Sequence, residues 1–71
     1  MSILIKLGNN IRARRKELEL SQEELSFRSN LHRTYIGAVE RGEKNVSFKN
    51  LCKISKALNL SISDLTKGIK S

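Results

Sequence analysis

Proline and tryptophan are missing from the chain, and cysteine and histidine occur once each. Without proline, no position is barred from a helix by a missing amide. One cysteine closes no internal disulfide. With one histidine it falls short of the four ligands of a structural zinc site, so neither metal nor cofactor is expected. Two Phe and one Tyr are the only aromatics, which leaves the core to aliphatic residues. No run approaches the roughly 20 apolar residues of a membrane span. The opening MSILIK has neither the apolar stretch nor the cleavage signal of a secretory leader, so a soluble cytoplasmic protein with no membrane partner is expected. At 71 residues the expectation is one small domain over 1–71, held by its own packing or by a partner chain. Acid is scarce too: 7 Asp and Glu stand against 14 Lys and Arg, a net charge of +7. That excess points to a polyanionic partner.

What is present is helical. Leu4, Leu7, Ile11 and Leu18 recur at helical spacing and predict a first helix over Ile3 to Leu18. Ser21-Gln22-Glu23-Glu24 is a capping box, in which Ser21 accepts from the amide three residues on and Glu24 returns the bond. It opens a short second helix, Gln22 to Arg28, followed by a turn at Ser29-Asn30-Leu31. A third helix starts at His32 or Arg33, turns Ile36 and Val39 inward and stops at Gly42, a left-handed terminator. Ser47 caps a fourth, in which Phe48, Leu51, Ile54 and Leu58 keep a helical period, closed by Asn59. Ser61-Ile62-Ser63-Asp64 caps a short fifth with Ile62, Leu65 and Ile69. The expected fold class is all-α, five short helices with tight connections.

Helices two and three, joined by about three residues, have the helix-turn-helix arrangement, whose second helix enters the major groove. The third starts His32-Arg33-Thr34-Tyr35 on a face that Ile36 and Val39 leave free of the core. Arginine forks onto guanine and the threonine methyl touches thymine, which nominates Arg33 and Thr34 as readers. Lys44 and Lys49 flank the following loop, where a phosphate role is expected. With Asn45 and Ser47 beside a helix N-terminus, this loop is expected to clamp the DNA backbone. Lys49, Lys53 and Lys56 share one helix face, and for Lys53 and Lys56 a merely solubilising role is equally open. Arg12, Arg14, Arg15 and Lys16 cluster on the first helix, where some balance Glu17, Glu19 or Glu40.

Over Ser21–Gly42, SQEELSFRSNLHRTYIGAVERG, the chain resembles the Cro/C1-type, lambda-repressor-like helix-turn-helix family (the XRE type). IRARRKELELSQEEL and LCKISKALNLSISDL are similar to that family's first-to-second and fourth-to-fifth helix passages. RTYIGAVERGEKNVSFKNL resembles the controller proteins of restriction–modification systems more closely still. The resemblance implies a compact five-helix domain that binds a palindromic or pseudo-palindromic double-stranded operator as a homodimer, with cooperative pairs of dimers in prospect. It places Gln22 at the DNA backbone, Arg33, Thr34 and Ala38 at base-reading positions, and Tyr35, Lys44, Asn45 and Ser47 on phosphate or sugar. It also pairs Arg15 with Glu40. Three residues depart from the pattern. Glu19 stands where glycine is usual at a positive φ, Asn30 replaces the turn glycine, and Gly37 sits inside the reading helix where serine is common, removing one base contact.

Leu60, Ile62 and Leu65 exceed what a short terminal helix needs for its own packing, and with helix four they are the expected dimer interface. Tyr35 either contacts DNA or packs on the first helix. His32 reads as a polar cap or a phosphate neighbour, not a catalyst. Cys52 reads as a small core residue, with an interface or redox thiol as the alternatives. No enzyme is expected, because the chain is too small to enclose a pocket around its few candidate groups. No small-molecule ligand is expected either. The rival readings are a Cro-like repressor of a phage or mobile element, separated by operator position, and an antitoxin, for which the Lys67–Ser71 tail is short.

Overall fold

The computed structural model describes residues 2–70. Five helices follow one another: α1 (Ile3–Glu17), α2 (Gln22–Ser29), α3 (Arg33–Glu40), α4 (Phe48–Ala57) and α5 (Ile62–Leu65). No strand occurs among the described residues. Each helix starts at a short polar cap. Ser2, Ser21, Ser47 and Ser61 accept, through their hydroxyls, from the amides of Ile5, Glu24, Asn50 and Asp64. At α2 the box closes both ways: the Ser21 amide donates to Glu24 Oε1 at 2.9 Å, so two orphan donors are satisfied at once. Nδ1 of His32 caps α3 by accepting from the Thr34 amide at 3.1 Å. The helices end on left-handed residues, with Glu19 and Asn30 at φ 57°, Asn59 at 59° and Gly42 at 76°.

Leu7, Ile11, Leu25, Ile36, Val39, Ile54, Leu58 and Leu65 form one aliphatic core. Each such side chain stabilises the fold by about 1.5–3 kcal/mol through burial. Backbones approach closely at one place. A methyl built on Gly8 of α1 would lie 2.5 Å from the carbonyl oxygen of Glu40 and 2.6 Å from that of Val39. Only glycine therefore lets α1 lie against the end of α3. Further along, α1 grips the chain's other end. Arg14 Nε donates to the Leu58 carbonyl at 3.0 Å, and Asn10 Nδ2 donates to those of Leu65 at 2.9 Å and Lys67 at 3.1 Å. These bonds satisfy carbonyls that the ends of α4 and α5 leave without a helical partner.

Two expectations about depth are corrected. Phe48 keeps the helical period of α4 but is 72% exposed. Ser47 and Lys49 beside it are exposed as well, so the first turn of α4 projects past the core and the period places nothing behind Phe48. Leu65 was expected at a dimer surface but is 1% exposed. Five helices this short enclose a core only if α5 contributes its leucine, so Leu65 is spent within the subunit.

Candidate nucleic-acid interface

The reading helix is set by a buried polar network. Arg15 Nε donates to Glu40 Oε2 at 2.7 Å and Nη2 to Oε1 at 3.1 Å, while Nη1 reaches the Leu20 carbonyl at 2.7 Å. Gln22 Nε2 donates to the same Glu40 Oε1 at 3.0 Å. One carboxylate thus ties α1, α2 and α3 together. No buried side-chain nitrogen or oxygen among the described residues lacks a partner, the condition under which a buried ion pair escapes a large desolvation penalty. Gln22 is thereby held at the start of α2 with its amide group aimed at α3.

Arg33 and Thr34 are exposed on the first turn of α3. Arg33 shares an open groove with Gln22, Glu23 and Phe27. Its guanidinium stands 3.3 Å from the Glu23 carboxylate, both side chains being mostly in water. Such a pair contributes only about 0–1 kcal/mol, so it holds the guanidinium loosely.

Tyr35 is half-buried and packs against the core. Its hydroxyl accepts from Asn50 Nδ2 at 3.2 Å, linking the reading helix to α4. Nothing in the sequence marked Asn50, because the bond joins residues on separate helices. Ala38, expected to read a base, is 7% exposed. It belongs to an unbroken buried run from Ile36 to Glu40, because α1, α2 and the side chains laid over α3 cover its second half. The family resemblance carried one residue too many of α3 into the reading set.

Lys44, Asn45 and Lys49 are exposed along the loop and the first turn of α4. Ser47 Oγ accepts from the Asn50 amide at 3.2 Å, which leaves its own hydroxyl hydrogen free to donate. Glu43 pairs with Arg41, whose Nε donates to Oε2 at 2.8 Å and Nη2 to Oε1 at 3.2 Å. These bonds hold the Glu43 carboxyl below its ordinary range and raise Arg41. Leu60 and Ile62 remain half-exposed, while Leu65 does not. Cys52 is a half-buried free thiol. Among the described residues no cluster of His, Cys, Asp and Glu is arranged to hold a metal ion, and no helix is long and apolar enough to cross a membrane.

A capped two-helix unit with an exposed Arg-Thr start on its second helix defines the class. The helix-turn-helix family profile matches residues 11–65, and the chain belongs to that family of DNA-binding transcription regulators. Within it the chain is similar to control protein C.SmaI of Serratia marcescens, 48% identical over 67 residues, covering 92% of this chain and 80% of that one. It is also similar to control protein C.BamHI of Bacillus amyloliquefaciens, 46% identical over 65 residues, with 90% and 80% covered. Among solved structures it matches the restriction–modification controller protein C.AhdI from Aeromonas hydrophila. That match has a TM-score of 0.86 at 45% identity and covers 87% of this chain and 94% of that one.

Proposed function

We propose that this protein is the controller of a restriction–modification system: a cytoplasmic, non-catalytic regulator that binds a two-fold symmetric operator as a dimer. The observation that carries the reading is the exposed Arg33-Thr34 pair, presented on a helix whose pose is fixed by the buried Arg15–Glu40–Gln22 network. Preorganised, exposed hydrogen-bonding groups at the start of a groove-sized helix suit direct readout. Gln22, Tyr35, Lys44, Asn45, Ser47 and Lys49 take the backbone contacts in this reading, which position the protein without naming bases. The half-exposed Leu60 and Ile62, together with α4, form the surface on which two copies pair. Pairing sets half-sites about 34 Å apart. With this architecture, occupancy follows protein concentration through dimerisation and through cooperation between adjacent dimers, which suits timed expression of a nuclease after its methylase.

Selection of bound sequences from a random duplex pool tests the reading. A palindromic consensus with half-sites one helical turn apart, lying upstream of a nuclease gene when mapped on the source genome, is the expected result. No enriched sequence would overturn it.

A further inference from the structure

Gly37 is the odd residue of the reading helix, mid-helix and with nothing of its own to offer a base. The space over it is filled. A methyl built on Gly37 would stand 3.1 Å from Nη1 of Arg41 and 3.4 Å from Oε1 of Gln22. Long side chains on a helix lean toward its N-terminus. Arg41, four residues on, accordingly lays its guanidinium back over Gly37. Glu43 takes the Nε and Nη2 edge of that guanidinium. The opposite fork, Nη1 with the outer hydrogen of Nη2, is left pointing away from Glu43.

We propose that Arg41 is a second base-reading residue, seated in the slot that Gly37 leaves and oriented by Glu43, with a guanine edge as its ligand. Two features separate this from an ordinary phosphate contact. A phosphate rewards charge, and Glu43 offsets the charge of Arg41. A base edge rewards direction, and a guanidinium clamped along one side keeps its end-on fork in a fixed plane, the geometry that guanine O6 and N7 accept. Arg41 follows Arg33 by more than two turns, but its guanidinium, laid back over Gly37, would read about one turn from Arg33 and supply the contact missing at Gly37.

The inference rests on the DNA-binding reading above. Its test separates the two. Sequence selection is run on the full-length protein and on Arg41→Ala, Gly37→Ala and the double variant, with thermal melts of each. Arg41→Ala should lose discrimination at one position of each half-site, with specific affinity falling about 5- to 150-fold. Gly37→Ala meets only the flexible end of Arg41 and the tip of Gln22, so it should fold with an unchanged or raised melting temperature while losing discrimination at the same position. Adding Gly37→Ala to Arg41→Ala should cost nothing further. If Arg41→Ala weakens all sequences equally and flattens the salt dependence, Arg41 is a phosphate contact and the inference fails. If the two single effects multiply, the slot fails. If the unmodified protein selects no sequence at all, the DNA-binding reading fails with it.

Discussion

Arg15 and Glu40 meet at 2.7 Å inside the protein, with the Glu40 side chain 2% exposed, and Gln22 shares the same carboxylate. Removing one partner strands the other as an uncompensated buried charge, at a cost of about 3–5 kcal/mol. Arg15→Ala is therefore expected to unfold most of so small a domain at moderate denaturant. Arg15→Met combined with Glu40→Leu should be markedly milder, because no charge is left behind. Urea titration of both variants checks the order.

Arg33→Ala should leave stability nearly unchanged, because its partner Glu23 is exposed and loses nothing that water does not replace. The same variant should cost about 1–3 kcal/mol of specific binding and relax one position per half-site. Retained affinity with unchanged preference would mean α3 docks some other way.

Lys44→Ala should weaken specific and non-specific DNA alike and lower the slope of log affinity against log salt by about one. The competing reading made Lys44 a solvated partner of Glu43. Glu43 takes its hydrogen bonds from Arg41, and Lys44 acts on it as a further nearby positive charge. Binding measured over a salt series decides: an unchanged slope defeats the contact.

Glu19 sits at φ 57°, a conformation that costs a residue with a Cβ about 1–2 kcal/mol. Glu19→Gly should raise stability by roughly 0.5–1 kcal/mol after the added freedom of the unfolded chain is subtracted. A thermal melt a few degrees higher is expected. A lower melt would show that the Glu19 side chain has a role the backbone angle hides.

Acid should act through the α2 cap. The Glu24 carboxyl is held below its ordinary value of 4.5, chiefly by the Ser21 amide and then by the Ser21 hydroxyl. Because the folded state binds that proton less readily than the unfolded chain, the contribution is complete above about pH 4.5 and lost as pH falls through the folded value. Glu24→Gln keeps an acceptor but does not titrate, so its unfolding curve should fall off less steeply in acid.

Much of the architecture was legible because it is written locally. Ser21 with Glu24, Ser47, Ser61 and Gly42 act within three or four residues of themselves, and chemistry at that range can be read along a chain. The fold class and the Arg33-Thr34 start followed from the same kind of signal, and the Arg15–Glu40 pair from family resemblance. What was misjudged or missed depends on residues distant in sequence. Leu65 is swallowed by a core built largely from the other four helices, and Ala38 is covered by neighbours that its own helix does not announce. Asn50 meets Tyr35 across 15 positions and Asn10 meets Leu65 across 55. Phe48 obeyed its period and still faced water, because a helical period states a direction and not whether anything lies there.

The α1 helix touches both ends of the machine. Through Gly8 its backbone lies directly against the last turn of α3, and through Arg14 and Asn10 it holds the carbonyl ends of α4 and α5. The proposed reading helix and the proposed pairing surface are thus both attached to one rod. Each base pair inserted between half-sites turns one of them by about 35° around the duplex axis. If the proposed dimer holds its two reading helices on such rods, the length of the operator's spacer counts for as much as its bases. Duplexes with ideal half-sites and one extra central base pair would then be decoys, and they are expected to bind that dimer far more weakly.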